Sequence, residues 1–226
     1  MKAIYLTFEE AEEILLKEEE DTVRFIFTRH GRTHLNVERI FQPWTPEGDQ
    51  LNPEGMTSAM DLGKKLNHVP IRKIYSSDWH RVIHTAQLIN EERNSPLREI
   101  HLSRSLRDFN FGILCGMSVA EADRLHPELS EIRKNSLHKF EAPGGDTFAG
   151  FHNRTKEELA RIIGENSMGN ILVVSHAYVA KCLIIAALDL PLDEHANKIN
   201  IKNTSISIVE LKDRKIPGRL LVLNNK

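Results

Sequence analysis

Runs of apolar residues along the chain predict strands that alternate with helices. The segment VRFIFT (23–28) is rich in β-branched and aromatic residues, which is typical of a strand buried on both faces. RKIYSS (72–77) predicts a weaker strand, and ILVVS (171–175) predicts a strong one. SISIVEL (205–211) alternates polar and apolar residues, and GRLLVLN (218–224) follows a Pro-Gly turn. These last two segments therefore predict an antiparallel pair at the edge of a sheet.

Helical patterns fill the intervals between the strands, at 55–67, 79–93, 118–126, 147–165 and 177–189. This alternation predicts an α/β fold, a three-layer sandwich with a doubly wound, mostly parallel sheet and an antiparallel edge. Two segments rich in Pro and Gly, 40–54 and 127–146, predict loops over one face of the sheet. Loops in that position are suited to shaping the mouth of a substrate site.

The acidic N-terminus predicts a short helix over residues 8–20, opened by a capping box from Thr7 to Glu10. Its apolar positions are sparse, so we expect residues 1–22 to form a helical extension on a single domain, 23–226. The helix is most simply a solvated face, with a surface for a partner as the alternative.

The composition excludes some classes of function. With 40% hydrophobic and 27% charged residues and a net charge of −2, the chain lacks the basic character of proteins that bind nucleic acid or anionic membranes. Any phosphate pocket must therefore be a local basic cluster. The longest apolar run, 177–190, is too short to span a bilayer, and the N-terminus lacks the basic region of a signal peptide. We expect a cytoplasmic protein with no membrane partner; a homodimer stays open.

Residues that can bind phosphate lie shortly after three of the predicted strands. They are Arg29 with His30, Arg81, and His176. In open α/β sheets, ligands bind outside the carboxyl ends of the strands, so we expect these side chains to converge on one site.

These residue types suit phosphate-ester chemistry. A neutral imidazole, that of His30, can attack a phosphate dianion and form a phosphohistidine. Arg29 and Arg81 have planar guanidinium groups that match phosphate oxygens. His176, at a helix N-terminus, can donate to a non-bridging oxygen. The leaving ester oxygen needs a proton, so a carboxylic acid should lie nearby.

The segment VRFIFTRHGRTHLN (23–36) resembles the signature of the histidine phosphatase superfamily, in its phosphoglycerate mutase-like branch. Further segments resemble the family's other motifs and occur in the family's order: LNPEGMTSA (51–59), YSSDWHRVIHTA (75–86), SLRDFNFGILCG (105–116), PGGDTF (143–148), VVSHAYVAK (173–181) and NTSISIVEL (203–211). The resemblance implies a phosphoglycerate mutase-like fold and catalysis without a metal or organic cofactor.

The resemblance also implies the role of each site residue. His30 would be the nucleophile, and Asp108 stands where the family has an acid/base glutamate. The phosphate pocket would comprise Arg29, Asn36, Arg81 and His176. Ala177 replaces the family's usual glycine but keeps the backbone N–H that can bind substrate.

The spacing of the motifs favours a phosphatase over a mutase. Only 26 residues (117–142) separate Gly116 from the PGG motif, whereas family mutases carry a long insertion there. We therefore expect a phosphomonoesterase that acts on a small phosphorylated metabolite. A phosphoglycerate-type mutase is the enzyme alternative. Because Asp108 is shorter than glutamate, a phosphate-binding regulatory module with little turnover also stays open.

Two structural alternatives apply to individual residues. Asp108 could form a salt bridge with Arg104 or Arg107 instead of taking part in catalysis. His80 and His84 have the i, i+4 spacing of a zinc pair, but no third ligand accompanies them, which favours an exposed pair without metal.

Overall fold

A computed structural model describes residues 5–45 and 50–226 of the chain. Its six-stranded sheet comprises β1 (Thr22–Arg29), β2 (Ile71–Ser77), β3 (His101–Ser103), β4 (Gly169–Ser175), β5 (Ile206–Lys212) and β6 (Arg219–Asn225). The α-helices of the described residues are α1 (Phe8–Leu15), α2 (His34–Glu38), α3 (Pro53–Lys65), α4 (His80–Glu91), α5 (Val119–Leu125), α6 (Pro127–Asn135), α7 (Phe148–Glu165), α8 (Ala177–Ala187) and α9 (Leu192–His195).

The sheet has the order β3-β2-β4-β1-β5-β6. Strands β3, β2, β4 and β1 are parallel, whereas β5 pairs antiparallel with β1, and β6 pairs antiparallel with β5. The predicted mostly parallel sheet with an antiparallel edge is confirmed.

Successive residues of β1 contribute to different cores, which makes the fold three-layered. Phe25 and Phe27 belong to the hydrophobic cluster that contains α7 and α8. Ile26 belongs to the cluster that contains α1, α3 and α4. Because side chains alternate across a strand, a strand covered on both faces buries nearly all of its side chains, and the charged one among them, Arg24, pairs with the buried Glu210.

The register of the sheet determines where the site forms. Arg29 pairs with Ser175, and the next backbone N–H, that of His30, donates to the Ser175 carbonyl over 2.9 Å. Strand β2 lies on the other side of β4, with Ser76 beside Val174. The carboxyl ends of β1, β2 and β4 therefore share one edge of the sheet.

Some element predictions were wrong. The segment 127–146, predicted as a loop, contains the helix α6, whose only buried residue is Ser130. A helix that buries so little lacks an apolar stripe, and the period of 3.6 residues was therefore not visible in the sequence. The short helix α2 and strand β3 were not predicted. In the other loop segment, 40–54, residues 46–49 lie outside the described part.

The N-terminal helix packs closely on the domain. The predicted capping box of Thr7 and Glu10 is present, and the helix ends at Leu15 rather than at residue 20. Three of its apolar side chains, Phe8, Ala11 and Leu15, are at most 2% exposed, and the Leu15 carbonyl accepts a hydrogen bond from Asn170. The boundary at residue 22 stays a prediction. Among the described residues no helix is both long and apolar enough to cross a membrane.

Candidate active site

The loop after β1 holds the predicted nucleophile in a defined backbone position. Gly31 N–H donates to Thr85 Oγ1 over 3.0 Å. A Cβ atom on Gly31 would lie 2.5 Å from the Gly55 carbonyl oxygen, which is too close for any side chain. Glycine is therefore required here because another backbone segment passes next to it.

Hydrogen bonds hold the neutral ring of His30 in one tautomer. The ring is buried, and its Nδ1 lies 2.7 Å from the Gly31 carbonyl oxygen, which can only accept. Arg81 Nε, which can only donate, lies 3.3 Å from Nε2. Nδ1 therefore carries the proton, and Nε2 presents its lone pair. Burial, and then the charges of Arg81 and Arg29, hold the pKa of His30 well below 6.5.

Arg81 also reaches the second predicted histidine. Its Nη2 lies 3.3 Å from His176 Nδ1, and the Nε2 of that ring lies 3.1 Å from Ser77 Oγ. By the same reasoning, neutral His176 carries its proton on Nε2. The rings of His30 and His176 are 5.4 Å apart. Burial, and then Arg81, hold the pKa of His176 well below 6.5.

The remaining residues predicted for the phosphate pocket line the same cleft. Arg29, Asn36 and Ala177 all border it, together with His30. Arg29 Nη1 donates to the Ile201 carbonyl over 3.1 Å, and burial lowers the pKa of Arg29. Ala177 is the first residue of α8, where a backbone N–H has no partner inside the helix.

Asp108 lies beside the two groups it would serve. Its Oδ2 is 3.6 Å from His176 Nδ1 and 3.8 Å from Arg81 Nη2. Burial raises the pKa of this carboxyl group, and the positive charge of Arg81 opposes the rise. The alternative of a salt bridge with Arg104 or Arg107 is wrong, because Arg107 binds Asp78 at 2.6 Å and Arg104 lies 4.0 Å from the same carboxylate.

No motif in the sequence indicates the residue that holds the Asp108 loop. Arg154, on α7, donates through Nη1 to the Ser105 carbonyl and through Nη2 to the Arg107 carbonyl, each over 3.1 Å. Nη2 also lies 3.3 Å from the Asp108 carbonyl. One guanidinium group thereby fixes the backbone on both sides of the carboxylate, since its five N–H groups have a rigid geometry.

A second residue without a predicted role, Asn203, joins two parts of the site. Its Nδ2 donates to the His30 carbonyl over 2.9 Å and lies 3.2 Å from Asn36 Oδ1. The sequence of segment 203–211 predicts only a strand. Asn203 lies shortly before β5, and β5 pairs with β1. Its place in the sequence was therefore the one indication that Asn203 lies near His30.

Among the described residues, no cluster of three or more His, Cys, Asp or Glu side chains is arranged to hold a metal ion. His80 and His84 are both exposed on α4. Catalysis without a metal stays a prediction.

Known proteins resemble this chain in sequence and in fold. It is 28% identical over 202 residues to a broad-specificity phosphatase of Saccharomyces cerevisiae, with 88% of this chain and 84% of that protein covered. It is 29% identical over 199 residues to phosphoglycerate mutase-like protein 4 of Arabidopsis thaliana, with 87% and 83% covered. The solved structure of YhfR from Bacillus stearothermophilus is 28% identical, with a TM-score of 0.80 and 90% of this chain and 98% of that chain covered.

A sequence profile of the histidine phosphatase superfamily (branch 1) matches residues 25–226, which is most of the chain. This match agrees with the resemblance inferred from the ordered motifs. The chain therefore belongs to the histidine phosphatase superfamily.

Proposed function

We propose that this protein is a phosphomonoesterase that hydrolyses a small phosphorylated metabolite through a phosphohistidine on His30. The observation that carries the proposal is the state of the His30 ring, whose Nε2 lone pair points to Arg81 Nε at 3.3 Å while Nδ1 is bound to the Gly31 carbonyl. A neutral nucleophile beside a fixed cation is what attack on a phosphate dianion requires. The similarity to the broad-specificity phosphatase of Saccharomyces cerevisiae also supports the hydrolysis of phosphate esters.

In the first half-reaction, His30 Nε2 forms a bond to phosphorus as the bond to the ester oxygen breaks. Arg29 and Arg81 would bind the equatorial oxygens and spread the developing negative charge. Asp108 in its acid form would transfer its proton to the leaving oxygen, so that an alcohol departs. Burial favours that acid form, since it raises the pKa of Asp108.

His176 would change its protonation state when phosphate binds. Its Nδ1 accepts from Arg81 in the free site, so it cannot donate there while the ring is neutral. A phosphate dianion next to the ring stabilises the imidazolium form, in which both nitrogens donate. His176 would then donate to a non-bridging oxygen, while Asn36 and the Ala177 N–H bind the others.

In the second half-reaction, water attacks the phosphohistidine. The Asp108 carboxylate produced in the first step would take the proton of that water, and His30 would leave as a neutral ring. Inorganic phosphate departs, and Asp108 is again an acid. The cycle consumes one water for each ester.

Trapping the phosphoenzyme tests the proposal. Acid-labile, base-stable label should appear on His30 when the protein is quenched during turnover of a radiolabelled phosphate ester. His30→Ala should abolish both the label and turnover, with losses of orders of magnitude. His84→Ala, which removes an exposed histidine, is the control. Retention of a tenth of the wild-type kcat in His30→Ala would refute the covalent mechanism.

The same experiment separates the two alternatives. A mutase would transfer the label from His30 to an added phosphoglycerate faster than to water. A phosphate-binding regulatory module would bind vanadate or phosphate but turn over no ester.

A further inference from the structure

The cleft at the active site carries more positive charge than one phosphate needs. It encloses about 580 Å³, which leaves room for a leaving group beside the phosphate. Its lining includes the basic side chains of Arg29, Arg32, Arg39, Arg133 and Lys202. Since the whole chain has a net charge of −2, this accumulation is local to the cleft.

Partners within the protein account for only part of this charge. Arg29 belongs to the proposed phosphate pocket. Arg32 Nη1 lies 2.9 Å from Glu54 Oε2, so that charge is balanced at the rim. Arg39 and Lys202 are exposed, and neither has an ion-pair partner within residues 5–45 and 50–226. Positive charge therefore remains on the outer side of the cleft.

Arg133 is the best-positioned of these outer cations. Its side chain is only 14% exposed, and its guanidinium carbon lies 5.2 Å from the centre of the Phe41 ring, another residue of the cleft. Its Nη2 is 3.4 Å from Asp123 Oδ1, but Lys134 binds the same carboxylate at 2.7 Å. One carboxylate thus balances two cations.

A donor of Arg133 also lacks an acceptor. Its Nε is buried and has no hydrogen-bond partner among the described residues. Leaving a buried charged group incompletely paired is costly, so an anion bound in the cleft should stabilise the guanidinium group as a whole. A planar guanidinium group held against an aromatic ring matches a carboxylate or a phosphate through two parallel hydrogen bonds.

We infer that the substrate carries a second acid group on its leaving group, a carboxylate or a phosphate, and that Arg133 binds it with support from Arg39 and Lys202. The inference rests on the proposed phosphomonoesterase function and specifies its substrate class. The ester phosphate would bind at His30, and the second acid group would lie toward α6.

Matched pairs of substrates test this inference. One pair is 3-phosphoglycerate and glycerol 3-phosphate, which differ in a carboxylate against a hydroxymethyl group. The other is propane-1,3-diol bisphosphate and its monophosphate. We expect kcat/KM to be at least about tenfold higher for the acidic member of one pair, as hydrogen bonds to a charged group provide. The pair that shows the preference identifies the acid group.

Variants of α6 assign the preference to Arg133. Arg133→Met should reduce the ratio of kcat/KM within the preferred pair by about tenfold, and Arg133→Lys should retain part of it. Lys134→Met is the matched control, because it removes an equal charge from the same helix and from the same partner, Asp123, but lies outside the cleft lining. Should Arg133→Met fail to fold, Arg39→Gln at an exposed position should lower the same ratio.

Each outcome has one meaning. Failure to hydrolyse p-nitrophenyl phosphate and every other ester would refute the proposed function itself. Hydrolysis of neutral and acidic esters at equal kcat/KM would leave that function intact and overturn the second-acid inference. Equal losses of the ratio in Lys134→Met and Arg133→Met would overturn the assignment to Arg133.

Discussion

Replacing Asp108 by Asn should slow the hydrolysis of alkyl phosphates far more than that of p-nitrophenyl phosphate. The substitution keeps the size of the side chain and removes the transferable proton. In the wild-type protein, Asp108 Oδ2 lies 3.6 Å from His176 Nδ1 and 3.8 Å from Arg81 Nη2, among the basic groups that would bind the phosphate. An alkoxide is a poor leaving group and needs that proton, whereas p-nitrophenolate leaves with little assistance.

The size of the effect follows from these contacts. General acid catalysis is typically worth about 10²–10⁴-fold where it is needed. Burial favours the proton-carrying form of Asp108 by raising its pKa, while the charge of Arg81 limits the rise. We therefore expect a loss of about 10²-fold, near the lower end of that range, in kcat/KM for glycerol 3-phosphate. For p-nitrophenyl phosphate the loss should be less than about tenfold.

The assay measures kcat/KM for both substrates over a range of pH. In the wild-type protein, kcat/KM for the alkyl ester should fall on the alkaline side as Asp108 loses its proton, and the variant should lack this limb. Asp108→Glu keeps the carboxyl group and is the control, since it should not show the selective loss on the alkyl ester and should retain the alkaline limb.

Two results would refute the reasoning. Equal losses on both substrates would mean that Asp108 organises the pocket and does not supply a proton. Unchanged activity on both would remove it from the mechanism.

Three further expectations concern positioning and stability. Arg154→Met should release the loop that it holds and reproduce the same leaving-group dependence, with Arg154→Lys intermediate; a uniform loss on both substrates would indicate a general structural role. The pKa values of His30 and His176 lie below 6.5, so the unfolded chain binds more protons below that pH, and the free energy of unfolding should fall as the pH drops through it. Urea titrations should show a smaller fall in His176→Gln, and an unchanged fall would contradict the assignment. Glu210→Gln removes the buried carboxylate that lies 2.9 Å from the fully buried Arg24 but leaves Glu19 at 3.2 Å, and should lower the free energy of unfolding by about 1.5–3 kcal/mol; no measurable loss would mean that Glu19 alone neutralises this arginine.

The sequence by itself determined the strands other than β3, and the residues that follow them. The apolar run 23–28 could only be a strand covered on both faces, and β1 is buried accordingly. Because parallel strands end at one edge of the sheet, residues placed just after them had to meet, as Arg29, His30 and His176 do. Both inferences depend on local patterns, which hydrophobic periodicity records directly.

Only the tertiary structure decided how these groups interact. The hydrogen bond from Asn203 to the His30 carbonyl joins residues 173 positions apart, and Arg154 reaches the Arg107 carbonyl across 47 positions. The tautomer of His30 depends on whether a donor or an acceptor faces each ring nitrogen. The acceptor belongs to the neighbouring residue Gly31, but the donor belongs to Arg81, 51 positions away. The polar helix α6 likewise brings Arg133 to the cleft without an apolar stripe to announce it. Such contacts depend on distances and angles between elements, whereas periodicity reports only which face of an element is buried.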